Sequence, residues 1–305
     1  MSIIKMIKQK CSVMQWGIGF AKGNVKDIIT KKHFDLKFTW LEQNNKLEFI
    51  ADPFIFKNNQ GNINLLYEDF SVERNGTIAL KIIDNDFKKI FQKTILKTGY
   101  HLSYPFVFQE DSITYIIPES HQRGKVAIFE YDFFNNSLTN EKILINLPLL
   151  DSTILKYENK YWLFASLGDG INDNKQLHIY YADSILGKYL PHKKNPVRNN
   201  LNATRPAGNF IEVDGAIYRP AQNCKEYYGK SITINKIIKL TVNEFEETHY
   251  FEITADSMSN FNAGLHTINI LDDIIVIDGI KFIFMPLKKI MLFLKKQFKY
   301  SKKEV

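Results

Sequence analysis

A pair of short strand-like segments recurs five times along this 305-residue chain, at intervals of roughly fifty residues. The five opening segments read ADPFIF (51–56), SYPFVF (103–108), DSTILKY (151–157), TRPAGNF (204–210) and LHTINI (265–270). The second segments read LLYEDF (65–70), TYIIPES (114–120), YWLFAS (161–166), IYRPAQN (217–223) and IIVIDG (274–279). Evenly spaced strand pairs are typical of propellers, in which every blade meets one axis. The sequence therefore predicts an all-β fold, a five-bladed β-propeller.

The repeats place the propeller in residues 1–280, with a separate C-terminal helix in residues 281–305. Residues 1–32 form a lead-in that contains an apolar segment, Val13–Ala21. We predict that this segment is a strand that completes the last blade and closes the ring. Since no Gly/Ser-rich linker divides the chain, we expect one propeller domain followed by the helix.

The predicted helix is basic and amphipathic. Residues 281–305 hold eight lysines and one glutamate, which accounts for the whole formal charge of +7. Leu287, Ile290, Met291, Leu294 and Phe298 recur at helical spacing. The helix either packs on the propeller with a solvated lysine face or lies on an anionic membrane surface, which its wide apolar face favours. No nucleic-acid motif accompanies the lysines, so nucleic acid is not an expected partner.

The composition indicates a cytoplasmic protein with a large core. Hydrophobic residues make up 45% of the chain and aromatic residues 13%, which argues against disorder. The two cysteines, Cys11 and Cys224, lie far apart and lack metal-ligand spacing, which fits a reducing compartment. No apolar stretch reaches the about 18 residues of a transmembrane helix. The N-terminus also lacks the long apolar run of a signal peptide.

Alignment of the repeats brings polar residues into equivalent positions, which we expect to converge at the propeller axis. The opening segments align Asp52, Tyr104, Ser152, Arg205 and His266, with Asp151 one residue earlier. The second segments contribute Glu68, Asp69, Glu119, Ser120, Arg219, Gln222 and Asp278, and His101 precedes the second repeat. A purely structural alternative is that Asp52–Arg205 or Glu68–Arg219 ion pairs hold neighbouring blades together.

Two carboxylates on opposite sides of a sugar ring support glycosyl transfer, one at the anomeric carbon and one moving a proton. Asp52, Glu119 and Asp151 are therefore the candidate catalytic residues, and the other axial positions are candidates for substrate binding. These are Glu68, Asp69, His101, Tyr104, Arg205, Arg219, Gln222, His266 and Asp278. Of these, Arg205, Arg219 and His266 would suit an anionic group on donor or acceptor.

Other chemistries find little support in the sequence. It contains no phosphate-binding glycine loop, no zinc-protease motif and no nucleophile elbow. The segment Asp84–Asp86 resembles a metal-and-nucleotide DxD motif, but it lies in a turn-like stretch, and we interpret it as a turn. No spacing requires a metal or a cofactor, so none is expected, although the carboxylates at the axis could hold a divalent metal ion.

Two families resemble parts of this sequence. The segment ADPFIF followed by YED resembles the first blade of five-bladed furanosidases and fructosyltransferases, in glycoside hydrolase family 43 and the invertase/levansucrase group. That resemblance implies that Asp52 is the base or nucleophile and that Asp151 tunes or stabilises it. Those families carry the proton-donating Glu at a later blade start, whereas the best candidate here, Glu119, ends the second strand of blade 2.

A closer resemblance covers nearly all of residues 13–280. The segments RPAGN, YRPAQNC and GLHTIN resemble the domain at the N-terminus of plant glucosamine inositolphosphorylceramide transferases and its bacterial relatives among capsule and surface-polysaccharide genes. The resemblance implies a five-bladed propeller and a role in sugar transfer during surface glycan assembly.

Together these features predict a cytoplasmic glycosyltransferase for capsule or other surface polysaccharides, peripheral to the inner face of the membrane. The transferred unit is predicted to be a furanose, such as a fructofuranosyl residue. The donor would be an activated sugar or a sucrose-like compound, the acceptor an oligosaccharide or polysaccharide, and residues 281–305 would bind the membrane. Two alternatives remain open, a furanosidase-type glycoside hydrolase and a non-catalytic carbohydrate-binding propeller that assists a partner transferase.

Overall fold

The computed structural model describes residues 11–43, 48–58, 60–71, 74–258 and 260–287 of the chain. These residues form five antiparallel sheets around one axis, so the predicted five-bladed β-propeller is confirmed. Blade 1 contains β3 (Glu48–Lys57), β4 (Ile63–Ser71), β5 (Arg74–Ile83) and β6 (Lys89–Leu96). Blade 2 contains β7 (Ser103–Glu110), β8 (Ile113–Glu119), β9 (Val126–Asp132) and β10 (Ser137–Ile145).

The remaining blades are less regular. Blade 3 contains β11 (Leu149–Tyr157), β12 (Lys160–Leu167) and β13 (Gln176–Ala182), with β14 (Leu190–Pro191) and β15 (Arg198–Asn199) both paired to β13. Blade 4 contains β16 (Ile211–Val213), β17 (Ala216–Asn223), β18 (Ser231–Leu240) and β19 (Phe245–Ile253). Blade 5 contains β20 (Ile268–Leu271), β21 (Ile274–Phe284), β1 (Ser12–Lys22) and β2 (Thr39–Trp40). A short helix, α1 (Val25–Lys31), follows β1.

The N-terminal strand completes blade 5. Strand β1, which contains the segment Val13–Ala21, pairs with β21 from Ser12 opposite Phe284 to Lys22 opposite Ile274. The last blade thus combines strands from both ends of the described chain, and this pairing closes the ring without an exposed edge at the junction.

The first strand of each blade lies nearest the axis, and three of these strands share an interruption there. The ladder shifts register between Ala51 and Phe54, between Ser103 and Phe106, and between Leu150 and Thr153. At these three shifts the chain takes a positive φ of 51° at Asp52, 40° at Tyr104 and 53° at Asp151. Such bulges bend a strand and redirect a side chain, so they turn the repeated polar positions out of the regular ladder.

In blades 4 and 5 the equivalent residue also lies outside a regular strand, because the first strand of each blade begins only after that residue. Arg205 precedes β16, and His266 precedes β20, so both side chains belong to irregular segments. In blade 3 the equivalent position is Asp151 rather than Ser152, one residue before the predicted alignment. With that correction, all five positions are free of the in-out alternation that a regular strand imposes.

Apolar side chains fill the spaces between blades. Phe54 of blade 1, for example, packs edge-on against Tyr104 and Phe106 of blade 2, with ring centroids 4.8 and 5.9 Å apart. All three rings are buried. This tight packing between blades holds the bulged segments in place around the axis.

The C-terminal prediction needs one correction. Residues 281–284, expected to begin the helix, instead extend β21, because they pair with residues 12–15 of β1. Helical backbone begins at Pro286 and Leu287, and residues 288–305, which hold most of the predicted basic helix, lie outside the described residues. Within the described ranges no helix is both long and apolar enough to cross a membrane.

Candidate active site

A cavity of about 250 Å³ opens at the propeller axis. Its wall includes six of the residues that the sequence aligned: Asp52, Glu68, His101, Glu119, Arg205 and His266. They come from blades 1, 2, 4 and 5, and the bulge at Asp52 and the late strand starts of blades 4 and 5 direct Asp52, Arg205 and His266 inward. The alignment of the repeats therefore predicted six residues of the cavity wall as well as the fold.

Asp52 is held by groups from two other segments of the chain. The backbone N–H of Tyr104 donates to its Oδ2 at 3.1 Å, and the Thr267 hydroxyl donates to its Oδ1 at 2.9 Å. The Nε2 atom of His266 lies 3.4 Å from the same Oδ1. Burial raises the pKa of Asp52 to about 7, although the neighbouring His266 acts in the opposite direction. Asp52 is thus poised to gain or lose a proton near neutral pH.

His266 lies between two carboxylates. Its Nδ1 atom is 2.5 Å from Oδ2 of the fully buried Asp278, and its ring stacks on Trp16 with centroids 3.9 Å apart. Asp278 also accepts the backbone N–H groups of Asp52, His266 and Thr267. Burial alone would lower the pKa of His266, but Asp278 and Asp52 raise it to about 9. The imidazolium form therefore predominates at neutral pH.

Glu119 has the opposite protonation preference to Asp52. It accepts a 2.6 Å hydrogen bond from Nδ1 of His121 and a 3.2 Å hydrogen bond from the Ser103 hydroxyl. Nη2 of Arg205 lies 3.7 Å from its Oε2. Burial opposes ionisation, but the His121 hydrogen bond and the Arg205 charge prevail and lower the pKa of Glu119. Glu119 is a stable carboxylate at neutral pH.

Asp151 lies one layer behind the wall and holds Arg205. The guanidinium donates from Nε to Oδ2 at 2.5 Å and from Nη2 to Oδ1 at 3.2 Å. The Gln222 amide donates to the same Oδ2 at 2.8 Å, and Arg205 lies 5.3 Å from the centroid of the Tyr228 ring. This bidentate pair fixes the direction of Arg205 and neutralises its charge.

Four other predicted substrate-binding residues lie at the cavity or directly behind its wall. Tyr104, Gln222 and Asp278 are buried behind the cavity and support its wall through hydrogen bonds. His101 reaches the cavity and lies 3.2 Å from Glu68, and their hydrogen bond raises the pKa of His101 although burial would lower it. The three buried residues, Tyr104, Gln222 and Asp278, are therefore suited to positioning the side chains of the wall rather than to contact with a ligand.

Two predicted substrate-binding residues lie elsewhere. Arg219 is buried, and its guanidinium pairs with Glu247 of β19 at 2.6 Å rather than with Glu68. Asp69 follows Glu68 on β4 and so faces the other side of the sheet, where it pairs with Arg74 at 2.7 Å. Neither the predicted Asp52–Arg205 pair nor the Glu68–Arg219 pair forms.

The predicted turn at Asp84–Asp86 is confirmed. Oδ1 of Asp84 accepts the backbone N–H groups of Asp86 and Lys88, both at 2.9 Å, as in an Asx turn. The carboxylate of Asp84 is thus engaged by its own backbone and is not arranged as a DxD motif.

Eight residues of the cavity wall escaped the sequence analysis: Trp16, Phe49, Ala51, Ser103, His121, Leu150, Asp173 and Tyr228. His121 follows Glu119 by two residues at the start of a 3-10 turn, and the PESH segment was a usable signal for it. Trp16 comes from the closing strand and Tyr228 from the loop after β17, and no repeat marks either position. The ring closure brings Trp16 to the axis, and the loop between β17 and β18 brings Tyr228 there.

One group of side chains has atoms close enough to share a metal ion. Ligand atoms of Asp52, His266 and Asp278 all lie within 4.8 Å of one another. In this structure those atoms contact one another, and the raised pKa of His266 favours the protonated ring, which does not bind a metal. The arrangement suits a charged hydrogen-bond network.

The imidazolium of His266 makes stability pH-dependent. Its pKa is about 9 in the folded protein and 6.5 when unperturbed, so its contribution is complete below pH 6.5 and is lost as pH rises to about 9. We expect the free energy of unfolding to fall over this window by at most about 1.4 kcal/mol per pH unit. Denaturant titrations between pH 6 and 9 measure the slope, and a His266→Gln variant should flatten it. Equal slopes in both proteins would contradict the assignment.

Comparisons with known proteins agree with this architecture. A family model described as glucosamine inositolphosphorylceramide transferase 1, N-terminal, matches residues 39–268. Glucosamine inositolphosphorylceramide transferase 1 of Arabidopsis thaliana is 38% identical over 206 residues, and that of Oryza sativa subsp. japonica is 35% identical. Each match covers 65% of this chain, and the chain spans only 27% of the length of these curated relatives.

Solved structures show the same fold at low identity. An α-L-arabinofuranosidase from Podospora anserina, in complex with cellotriose, gives a TM-score of 0.55 at 13% identity and covers 75% of this chain and 78% of its own. A family-43 β-1,3-galactosidase with galactodeoxynojirimycin gives 0.54 at 12% identity, with 70% and 81% covered. At such identity these likenesses describe the fold alone.

Proposed function

The chain belongs to the family of the glucosamine inositolphosphorylceramide transferase 1 N-terminal domain, as its RPAGN, YRPAQNC and GLHTIN segments predict, and we propose that it catalyses glycosyl transfer. One observation carries the proposal. Two carboxyl groups in the wall of one cavity, Asp52 and Glu119, have pKa values displaced in opposite directions. Such a pair is how a protein assigns proton transfer to one carboxyl and charge stabilisation to the other.

The protonation states favour a particular division of labour. Asp52, with a pKa of about 7, is suited to exchange a proton with the sugar or its acceptor. Glu119 stays ionised and is suited to stabilise positive charge that develops at the anomeric carbon. This reverses the roles that the sequence suggested, where Asp52 acted at the anomeric carbon and Glu119 moved the proton.

The charges of the cavity support a neutral sugar as the group that enters it. Arg205 is paired with Asp151, and His266 lies between Asp52 and Asp278. His101 and His121 face Glu68 and Glu119. Since each of these basic side chains already faces a carboxylate, the described wall offers no unpaired positive charge for a phosphate. The volume of about 250 Å³ is also below the range of about 300–1,000 Å³ that is typical of drug-sized ligands, and it suits a single sugar ring.

The finer assignments belong to the same proposal. A role in capsule or other surface-polysaccharide assembly rests on the sequence resemblance to bacterial members of the family. Transfer of a furanose rests only on the likeness of ADPFIF and YED to furanosidases. The relatives' name identifies an inositolphosphorylceramide acceptor for those proteins, so a glycolipid acceptor is a natural candidate here as well.

A carbohydrate-binding propeller is the second candidate function. The chain corresponds to 27% of its curated relatives, and the family model describes their N-terminal part, so the transferase activity in their name need not reside in the matched part. A binding module would use the same cavity and would show saturable sugar binding without turnover.

A transfer assay separates the two candidates. Purified protein is incubated with a panel of nucleotide sugars and sucrose-like donors, each with oligosaccharide and glycolipid acceptors, and products are identified by mass spectrometry. A transferred sugar supports the transferase. Release of free sugar without transfer indicates a hydrolase, and absence of turnover with every donor, together with sugar binding by calorimetry, supports the binding module.

We also propose that the protein works at the cytoplasmic face of the membrane, held by the lysine-rich residues 281–305. Anionic lipids attract juxtamembrane lysines with about 1 kcal/mol for each residue near the surface. Sedimentation with vesicles that contain phosphatidylserine should therefore deplete the full chain from solution, and neutral vesicles should not. A variant that lacks residues 288–305 is the control, and its equal binding to anionic vesicles would contradict the proposal.

A further inference from the structure

A second cavity lies beside the axis, between blades 5 and 1, and has a volume of about 670 Å³. We call it the side cavity, and its floor is formed by Tyr67, Lys81 and Gln92 on β4, β5 and β6. The two-residue strand β2 borders it on the side of blade 5. Trp40 of β2 forms the opposite wall.

The side cavity adjoins the axial cavity. Phe49 lines both, and its ring stacks on Phe70 with centroids 4.6 Å apart. On the neighbouring strand β4, Glu68 faces the axial cavity, whereas Tyr67 and Asp69 face the side cavity. The two cavities therefore lie on opposite faces of β4 and share Phe49, so a ligand that occupies both would cross the edge of blade 1 beside this ring.

The lining of the side cavity combines aromatic faces with hydrogen-bonding groups. Trp40, Phe49, Tyr67 and Phe87 provide the rings. Lys81 has no ion pair among the described residues, and Gln92 donates to the Tyr67 hydroxyl at 3.0 Å, which leaves its amide oxygen available. This combination suits sugar rings, which present apolar faces and hydroxyl edges.

The charges of the lining oppose other classes of ligand. Four acidic residues line the cavity, Glu42, Glu48, Asp69 and Asp86, against three lysines, Lys81, Lys88 and Lys89. The lysines therefore do not make an anion site, since acidic side chains in the same wall offset them. The cavity is also unsuited to a lipid chain, because contact with hydrocarbon would remove these charged side chains from water at a high cost in free energy.

We propose that the side cavity binds the next residues of an oligosaccharide whose terminal residue occupies the axial cavity. The inference rests on the proposed function of the axial cavity as a sugar site. The side cavity has more than twice the axial volume, so at least two further sugar residues fit there. The protein thereby recognises the length of its saccharide, with Lys81 and Gln92 as specificity-determining residues.

Equilibrium binding tests this without turnover. A glycan array of plant and bacterial oligosaccharides identifies the strongest-binding oligosaccharide, and calorimetry then compares it with its terminal monosaccharide. Loss of one or two hydrogen bonds in Lys81→Ala or Gln92→Ala should weaken the oligosaccharide about tenfold and leave the monosaccharide unchanged. Lys93→Ala is the matched control, because Lys93 lies on the same strand as Gln92 but reaches the Asn135 carbonyl in blade 2. Thermal unfolding of each variant verifies its fold.

The outcomes separate this inference from the proposed function. Equal oligosaccharide affinity in the wild type and both variants, or an oligosaccharide that binds no better than its monosaccharide, would overturn the inference even if transfer occurs. Length-dependent binding that requires Lys81 or Gln92 would support it even if the transfer assay finds no product.

Discussion

An Asp52→Asn variant is expected to lose about 10³-fold in the rate of glycosyl transfer, within the range of about 10²–10⁴-fold that proton-transferring groups contribute. The substitution removes the group that titrates near neutral pH. The Asn side chain keeps one oxygen, which can accept from the Tyr104 N–H, and its amide N–H can donate to the Thr267 hydroxyl, which then accepts instead of donating. Sugar binding should therefore persist while turnover is lost. The measurements are kcat and KM for transfer, together with the dissociation constant of the sugar.

The pH dependence of the rate makes this prediction specific. With a pKa of about 7 for Asp52, the wild-type rate should change across neutral pH, and that inflection should be absent from the residual rate of the variant. Asp256→Asn, at an exposed position outside the cavity, is the matched control and should retain full activity. Transfer by Asp52→Asn at the wild-type rate would assign Asp52 to the scaffold and remove it from the chemistry.

Arg205→Ala is expected to lower the free energy of unfolding by about 3–5 kcal/mol, the usual cost of removing one partner of a buried ion pair. Arg205 is the bidentate partner of Asp151 and the nearest cation to Oε2 of Glu119. Both carboxylates are buried, so the variant leaves two negative charges in a space that excludes most water. Denaturant titration at pH 7 measures the loss.

A pH series distinguishes this mechanism from a simple packing defect. Without Arg205 the folded-state pKa of Asp151, already raised by burial, should rise further, so the variant loses most stability at neutral pH and recovers part of it as pH falls. Arg123→Ala is the control, because its pair with Glu141 is solvent-exposed and such pairs contribute about 0–1 kcal/mol. A loss for Arg205→Ala no larger than for Arg123→Ala would contradict the assigned role.

The predictions for Asp52→Asn and Arg205→Ala concern the same group of charged side chains at the axis. The carboxylates at the axis repel one another. Arg205, His266 and backbone N–H groups offset this repulsion through ion pairs and hydrogen bonds. The positive φ at Asp52 and Asp151 belongs to the same arrangement, since strained backbone persists where the surroundings over-determine it. The stability of the axis and its chemistry therefore depend on the same contacts.

Much of the fold followed from local patterns. The recurrence of strand pairs determined the number of blades, because each blade is a local antiparallel unit that repeats its own signals. Equivalence between blades also brought Asp52, Glu119, Arg205 and His266 to one place, since equivalent positions of a propeller share an axis. These conclusions needed only the order and spacing of residues.

Two predicted substrate-binding residues were wrongly placed at the axis, Asp69 and Arg219. For Asp69 the error concerned the face of the strand on which it lies, and for Arg219 it concerned its ion-pair partner. Asp69 was assigned to the axis with Glu68, yet adjacent residues of a strand face opposite sides. Arg219 was assigned to substrate because its partner Glu247, on another strand of the same blade, carries no repeat signal. Trp16 reaches the cavity only because the closing strand joins the far end of the described chain.

The sequence by itself thus determined the five-bladed propeller and most of the polar residues at its axis, because these depend on local periodicity and on equivalent positions, and the resemblance of its RPAGN, YRPAQNC and GLHTIN segments indicated the family. The tertiary structure alone decided the protonation states. The backbone N–H of Asp52 meets the carboxylate of Asp278, 226 positions away in sequence, and Tyr104 donates to Asp52 across a blade boundary. A pKa depends on burial and on charges a few ångströms away, and only the folded chain specifies those distances.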